Sequence, residues 1–207
     1  WQSYLSSLRI AGLTTLIALA LGYPLAYAMA MAPKRWQSIL LLLVILPFWT
    51  SFLIRVYAWI GILRPEGLLD MALGWLGLAS EPLRLLNTDT AVLIGMVYSY
   101  LPFMVLPLYT TLQKLDGTLV EAAADLGATP LTSFRTVTLP LSLPGILAGS
   151  ALVFIPAIGE FVIPDLLGGP DTLMVGKVLW SEFFSNRDWP LASAVAIVLL
   201  IVLVLPL

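Results

Sequence analysis

Few residues in this chain could carry chemistry, and two of them lie inside apolar segments. The 207 residues include no cysteine and no histidine, which removes thiol nucleophiles, imidazole bases and the usual zinc sites. Glu160 lies in the stretch IPAIGEFVIP, and Arg55 lies in FLIRVYAW. An ionisable group inside a membrane segment is costly and therefore indicates a functional site. Glu160 could bind a cationic substrate. Arg55 could form an ion pair with Glu160, which would act either as a gate or as a purely structural contact between helices.

Both residues also have purely structural interpretations. Pro156, Gly159 and Pro164 surround Glu160 and predict a broken helix, which transporters use to expose polar groups near a pathway. The Glu160 carboxylate could instead extend to the outward surface of the bilayer, or it could pair with Arg55 for packing alone. Because Arg55 would repel a cationic substrate, its position favours gating or structure over substrate binding.

The connections at residues 64–88 and 164–190 are acidic. With the adjoining span ends they carry a net charge of −4. The acidic residues are Glu66, Asp70, Glu81, Asp89, Asp165, Asp171, Glu182 and Asp188, and the basic ones are Arg64, Arg84, Lys177 and Arg187. A negative surface concentrates cationic solutes, so Asp165 joins Glu160 as a candidate for the substrate pathway. An ordinary solvated surface, or one matched to a binding protein, would carry the same charge.

Five aromatic residues lie near the same ends of two apolar segments. They are Tyr57, Trp59, Tyr98, Tyr100 and Phe103. Such residues commonly form the interfacial belt of a membrane protein. The alternative is contact between their rings and substrate ammonium groups, worth about 1–2 kcal/mol each when desolvated.

The elements that must position these residues are membrane helices. Of the chain, 60% is hydrophobic and 11% is charged, against about a quarter charged in soluble domains. The composition predicts an all-α, polytopic helical membrane protein of one domain over residues 1–207. The predicted spans are about 5–31 (bent at Gly22 and Pro24), 38–63, 90–112, 139–163 and 190–207. Both ends of the chain resemble cuts from a longer protein, and a net charge of −2 gives no reason to expect nucleic acid as a partner.

The charges of the connections predict the orientation. Residues 32–37 and 113–138 share one side of the membrane and contain Lys34, Arg35, Lys114 and Arg135 in a short total length. The connections on the opposite side, residues 64–88 and 164–190, also carry four basic residues, but over a longer total length. The positive-inside rule therefore places residues 113–138 in the cytoplasm.

The stretch EAAADLGATP in that connection has strong local signals. Thr118 and Glu121 fit a capping box, and Gly127 suits the left-handed position that ends a helix. Thr129 and Pro130 predict the start of a second short helix. The stretch is therefore either an interfacial helix that links two spans or a rigid docking element, in which small alanines let another protein approach.

Residues 121–140 resemble the EAA loop of type I ABC-importer permeases. The matching residues are Glu121, Ala122, Ala123, Gly127, Leu139 and Pro140, and Val137 stands where the family usually has isoleucine. The resemblance implies that this loop is a cytoplasmic coupling helix, seated in a groove of a separate ATP-hydrolysing subunit. The chain has no G-x-x-x-x-G-K-[ST] phosphate loop, the signature of P-loop ATPases, so it is expected to be a transport subunit without its own ATPase site. ATP and Mg²⁺ are then bound by the partner.

The same resemblance implies the other partners and the location. They are a dimer of ABC ATPase subunits, a second related permease and a periplasmic substrate-binding protein, assembled in the bacterial inner membrane. Other stretches, LGYPLAYAMA and VFIPAIGEFVIPDLLGG among them, resemble the spermidine/putrescine permeases, which implies alternating-access import of polyamines. Similar permeases serve other small solutes. A stand-alone secondary transporter would need an ion-coupling site and usually an internal repeat, neither of which is evident, and an intramembrane enzyme lacks a catalytic set.

Overall fold

The computed structural model describes residues 2–77, 83–170 and 172–204, and its regular elements are helices. Glu81 and Asp171 of the acidic connections lie outside the described residues. The α-helices are α1 (Gln2–Met31), α2 (Lys34–Ile45), α3 (Phe52–Leu63), α4 (Leu68–Trp75), α5 (Asp89–Gln113), α6 (Gly117–Asp125), α7 (Pro130–Ser133), α8 (Leu139–Ile158), α9 (Val162–Leu167), α10 (Val175–Trp180) and α11 (Trp189–Val204). A 3₁₀-helix covers Leu46–Trp49, and two π-helices cover Phe134–Thr138 and Ser181–Ser185.

Three helical segments among the described residues are long and apolar enough to cross a membrane. They are α1, α5 and the continuous segment Pro130–Ile158, which contains α7, the first π-helix and α8. The count becomes four if the broken pair α2 and α3 forms one span. Helix α11 is apolar and 16 residues long, short of the roughly 20 needed to cross a hydrocarbon core. The all-α polytopic prediction is confirmed.

Two of the predicted spans differ from the helices, and the first is a single helix whose predicted bend stays a prediction. Helix α1 continues through Gly22 and keeps Pro24 inside it, as membrane helices can when neighbouring groups satisfy the freed backbone. The second predicted span is interrupted, because helical structure stops after Trp49 and resumes at Phe52. The fourth begins at Pro130 and ends at Ile158, so it starts nine residues before the predicted position 139.

The chain divides into two compact units. The second unit, residues 15–47 and 100–153, contains most of α1, α5 and α8. A Cβ on Gly22 would lie 3.0 Å from Met104 Cγ, and one on Gly149 would lie 3.0 Å from the Met104 carbonyl oxygen. Small residues at both contacts let the backbones approach closely, the usual way in which membrane helices associate. Tyr23 and Ser142 add a hydroxyl–hydroxyl hydrogen bond of 2.9 Å between α1 and α8.

Gln37 ties three helices of the second unit together. Its Nε2 donates to the Ala30 and Ala32 carbonyl oxygens at 3.0 and 2.9 Å. Its Oε1 accepts from Gln113 Nε2 at 3.0 Å and from the Tyr109 hydroxyl at 3.5 Å. One side chain therefore holds the end of α1, the start of α2 and the end of α5.

The first unit, residues 1–14, 48–99 and 154–207, contains α3, α4 and α9–α11. The Ser7 hydroxyl accepts from the Val175 backbone N–H at 2.8 Å, and the Thr172 hydroxyl donates to Asp89 Oδ1 at 2.8 Å. A Cβ on Gly95 would lie 2.6 Å from Leu167 Cδ1. These contacts hold α9 and α10 against the starts of α1 and α5.

Candidate functional site

Asp116 begins the helix that contains the EAA sequence. Its carboxylate accepts from the Thr118 backbone N–H at 3.0 Å, so Asp116 is the N-cap of α6. The prediction of a capping box between Thr118 and Glu121 was wrong, because Thr118 already lies inside the helix. Asp competes well with Thr for the N-cap position, and the helix therefore begins two residues earlier than expected.

Gly127 ends α6 in the predicted left-handed conformation, with φ of +84°. The Gly127 N–H donates to the Ala124 carbonyl at 2.8 Å, and the Ala128 N–H donates to the Ala123 carbonyl at 3.0 Å. This nested pair of bonds is a Schellman motif, which satisfies the last carbonyls of a helix. The prediction for Gly127 is confirmed, and both ends of α6 are closed by the chain itself.

Thr129 and Pro130 start a new helix, as predicted. The Thr129 hydroxyl accepts from the Thr132 N–H at 3.3 Å, and Pro130 occupies the first helical turn. The prediction that this helix is short and separate was wrong, because it continues through the π-helix into α8. No residue between Pro130 and Leu139 breaks the helix, so the turn that follows α6 leads into the continuous segment Pro130–Ile158.

The outer surface of α6 is exposed and carries apolar side chains. Glu121 and Ala122 are exposed and Ala123 is half-buried. The exposed fractions of the flanking apolar side chains are 47% for Leu119, 39% for Val120, 89% for Leu126 and 59% for Leu131. Exposed apolar groups around a small-residue helix are typical of a surface that another protein covers.

Behind α6 lies a cavity of about 240 Å³ within the second unit. It is lined by Tyr27, Val120, Ala124, Ala128, Pro130, Ser133, Phe134 and Thr138. The Phe134 ring contacts the edges of Tyr23 and Tyr27, with centroids 5.7 and 6.2 Å apart. The segment that carries α6 is therefore supported on α1 by aromatic contacts.

Glu160 lies where the helix breaks, as the sequence predicted. Its Oε1 accepts from the backbone N–H groups of Phe161 and Val162 at 3.1 and 2.9 Å, and these are free donors at the start of α9. The side chain is half-buried. Its carboxylate is thereby held at one place in the turn between α8 and α9.

Arg55 packs its guanidinium over aromatic rings. The Arg55 Cζ atom lies 5.0 Å from the centroid of Phe48 and 5.8 Å from that of Phe52, within the range of a cation–π interaction. Within the described part of the chain, the buried Arg55 Nε has no hydrogen-bond partner. The ion pair between Arg55 and Glu160 stays a prediction, as does a gate made from it.

Most of the described acidic side chains around the predicted outward loops have local partners. Asp165 lies 3.2 Å from Lys177 Nζ. Asp70 accepts from the Glu66 and Leu83 backbone N–H groups at 2.8 and 3.0 Å. These carboxylates therefore hold loops and helix ends in place.

The predicted aromatic residues fall into separate groups. Trp59 and Tyr98 contact edge to face in the first unit, with centroids 5.4 Å apart, and Tyr57 is 57% exposed. Tyr100 and Phe103 belong to the second unit, with ring centroids 6.2 Å apart. Their proposed contact with substrate stays a prediction.

Comparison with known proteins decides the family. Residues 22–207 match the family described as "Binding-protein-dependent transport system inner membrane component". The chain belongs to this family. Members of this transport family among the curated relatives include the spermidine/putrescine transport system permease protein PotB of Haemophilus influenzae, 48% identical over 97% of this chain and 70% of the relative. PotB of Escherichia coli is 47% identical over 98% of this chain and 74% of the relative.

A more distant relative and a solved structure extend the comparison. The inner membrane ABC transporter permease protein YdcU of Escherichia coli is 33% identical over 97% of this chain and 68% of its own length. The crystal structure of a bacterial ABC transporter that imports alginate has a chain that matches with a TM-score of 0.75. That match covers 98% of this chain and 76% of the other at 19% identity, so it establishes a shared fold.

The structure of this family member also contains features that the sequence reasoning missed. Phe161, beside Glu160, stacks on Trp180 with centroids 4.3 Å apart and an angle of 10° between the rings. Because 19 residues separate the two in sequence, no short-range pattern connects them. Asp116 could have been found, since Asp before a helical segment is a common N-cap.

The pH dependence of the Asp116 cap can be predicted from its hydrogen bonds. The bond from the Thr118 backbone N–H, assisted by the Thr118 hydroxyl, lowers the pKa of the Asp116 carboxyl below its ordinary value of 3.8. The cap is therefore present above that ordinary value and lost only as the pH falls through the lowered pKa. We expect Asp116→Ala to reduce binding-protein-stimulated ATP hydrolysis equally at pH 5 and pH 8. Asp116→Asn, which keeps the accepting oxygen, should match the wild type; a defect in Asp116→Asn would contradict the capping role.

Glu160→Gln separates the charge of Glu160 from its hydrogen bonds. Glutamine keeps an oxygen that can accept from Phe161 and Val162 and loses the negative charge. If Glu160 attracts a cationic solute, the KM for uptake should rise by about two- to fivefold, the range for loss of one screened charge pair worth up to about 1 kcal/mol. Radiolabelled uptake at several solute concentrations measures this. Unchanged kinetics would assign Glu160 to structure alone.

Proposed function

We propose that this chain is the transmembrane permease subunit of an ATP-driven, binding-protein-dependent importer of polyamines. The observation that carries the proposal is the identity of 47–48% with two PotB proteins over nearly the whole chain. The names of these relatives specify spermidine and putrescine as solutes. The two half-buried or ion-paired carboxylates Glu160 and Asp165 are compatible with a cationic substrate.

In this proposal, α6 is the coupling helix. Glu121, Ala122, Ala123 and Gly127 form the segment that enters a groove of an ABC ATPase subunit, and ATP with Mg²⁺ is bound in that partner. The exposed Leu119 and Leu126 supply apolar area for docking. Two features support the transmission of movement from the ATPase to the membrane helices. Helix α6 is closed at both ends, and the next helix continues into α8 without a break.

Transport follows an alternating-access cycle. A periplasmic binding protein delivers the solute at the end of the permease that carries the acidic loops. The solute passes between this chain and a second, related permease subunit. Closure of the ATPase dimer moves α6, which moves Pro130–Ile158 as one helix. The pathway residues in this proposal are Glu160, Asp165, Tyr57, Trp59, Tyr98, Tyr100 and Phe103, with Arg55 in a gating or structural role.

The test is reconstitution of the full complex in liposomes. The permease pair, the ATPase and the binding protein are combined, and uptake of labelled spermidine and putrescine is measured with and without ATP. We expect ATP-dependent uptake that stops when the binding protein is omitted. Uptake driven by an ion gradient without ATP would favour a stand-alone secondary transporter and overturn the proposal.

A second solute class is a specific alternative. A probable molybdenum ABC transporter permease of Haloferax volcanii is 35% identical over 87% of this chain and 64% of its own length. Molybdate is an anion, so an acidic entrance would repel it. If excess molybdate inhibits uptake in this assay and excess putrescine does not, molybdate replaces polyamines as the assigned solute. The assignment of the chain to an importer is then unchanged.

A further inference from the structure

Four aromatic side chains form a continuous group beside Glu160. Phe161 stacks on Trp180 at 4.3 Å, Trp180 contacts Phe184 at 4.1 Å, and Phe184 contacts Phe183 at 4.9 Å between ring centroids. We call this group, Phe161, Trp180, Phe183 and Phe184, the aromatic ladder. All four residues lie within the first unit.

The ladder is built by a close backbone contact. A Cβ on Gly176 would lie 2.6 Å from the Glu160 carbonyl oxygen and closer still to that of Gly159, so only glycine lets α10 approach this turn. Trp180 follows Gly176 by four residues and therefore lies on the same helix face. That spacing brings Trp180 onto Phe161.

The ladder continues on a π-helix. Phe183 and Phe184 lie in the π-helix Ser181–Ser185, and Phe184 again follows Trp180 by four residues. Single-turn π-helices occur frequently at functional sites. The exposed fractions of the side chains are 44% for Trp180, 44% for Phe183 and 55% for Phe184, so the ladder presents ring surface that the described chain leaves uncovered.

The charges around the ladder favour a cation. In the sequence, Glu160 directly precedes Phe161, and Glu182 stands between Trp180 and the pair Phe183 and Phe184. Two basic residues lie three positions from the ladder in sequence. Lys177 is held by Asp165 at 3.2 Å, and Arg187 is exposed and directly precedes Asp188. A surface for lipid tails would not carry two carboxylates, because charged groups are costly there. Ring faces beside carboxylates are a binding environment for ammonium groups.

We propose that the aromatic ladder is a subsite for the ammonium groups of the transported cation. The inference rests on the proposed function and adds residues to it, since the sequence pattern pointed to Glu160 without Trp180 or Phe184. In this arrangement the Glu160 carboxylate attracts the cation, and the exposed rings of the ladder contact its ammonium groups and the methylene groups between them.

Chemical labelling tests the subsite directly, because the chain contains no cysteine. Phe184→Cys places the only thiol of these 207 residues at the most exposed ring of the ladder. In the intact complex, with this subunit resolved on a gel, we expect a trimethylammonium thiosulfonate to react faster than a sulfonate thiosulfonate. We also expect spermidine-loaded binding protein to slow the reaction at least about threefold.

An unreactive thiol would show that lipid or a neighbouring subunit covers the ladder, and a reactive but unprotected thiol would show that substrate does not reach it. Either result overturns the inference.

A second variant pair measures the contribution of the rings. Trp180→Leu removes the central ring, and we expect it to raise the KM for polyamine uptake by about 5- to 30-fold, the range for one or more desolvated cation–π contacts. Trp180→Phe keeps a ring and should change KM less than about threefold. Trp189→Leu is the matched control, since Trp189 is 60% exposed and lies outside the ladder; its KM should equal that of the wild type.

The outcomes separate the two proposals. A wild-type complex that does not import polyamines overturns the proposed function. A wild-type complex that imports them, with Trp180→Leu equal to Trp189→Leu, overturns the subsite alone. Loss of the second permease from purified Trp180→Leu complexes would assign the ladder to a subunit interface and overturn the subsite as well.

Discussion

Gly127→Leu is expected to reduce solute uptake and binding-protein-stimulated ATP hydrolysis by about 5- to 30-fold while the chain still inserts in the membrane. The left-handed backbone costs a non-glycine residue about 1–2 kcal/mol, and Gly127 has φ of +84°. The bonds from Gly127 and Ala128 that close α6 would open in most molecules. A coupling helix with an open end would hold its partner at the wrong angle. Paired uptake and ATPase assays in reconstituted complexes measure the loss.

Gly117→Leu is the matched control for this experiment. Gly117 is the first residue of α6 and Gly127 follows its end, and a Cβ at either position meets no atom within 4 Å. They differ in backbone conformation, because Gly127 has the positive φ. Gly117→Leu should therefore retain transport. Equal activity of both variants would remove the Schellman end from the coupling mechanism, and normal transport by Glu121→Lys as well would remove α6 from it altogether.

Gly176→Ala is expected to produce the second large effect, a loss of uptake together with a lower melting temperature of the purified complex. Its Cβ would press on the backbone carbonyls of Gly159 and Glu160, which cannot rotate away as a flexible side chain can. Forcing one extra carbon into a packed contact typically costs about 1–3 kcal/mol. The turn that holds Glu160 and the ring of Phe161 would both shift.

Gly61→Ala provides the comparison. Gly61 lies in α3 of the same unit, and a Cβ there meets no atom within 4 Å. Alanine favours a helix over glycine by about 1 kcal/mol, so Gly61→Ala should leave melting and uptake unchanged or slightly improved. If Gly176→Ala melts like the wild type and transports normally, the close contact of α10 with the Glu160 turn is unnecessary for function.

Local signals predicted the structure of residues 116–130 better than the way these residues connect to the next helix. The left-handed Gly127 and the Thr129–Pro130 start follow from the conformational preferences of single residues. The N-cap was misplaced because Asp116 and Thr118 are both good caps two residues apart. The continuity of Pro130–Ile158 was missed, since a turn-like composition there hid a helix that tertiary packing and Phe134 contacts support.

Long-range contacts around Glu160 were beyond sequence reasoning for a physical reason. The break at Glu160 was predictable from Gly159 and Pro164, which act locally. The stack of Phe161 on Trp180 depends on how closely two backbones approach, and a single glycine at position 176 sets that distance. The contact of Arg55 with Phe48 was not predicted either, and its pairing with a carboxylate stays a prediction.

The closed ends of α6 also bear on the order in which an importer of this kind is built. Asp116 and the Gly127 turn complete the helix from within the chain, so its shape does not depend on the ATPase. A surface that is already formed loses little conformational freedom when a partner arrives, so its binding costs less than binding that must fold a segment. If α6 docks on the ATPase as proposed, this part of the docking surface is formed before the partner arrives, and docking requires no folding of the segment.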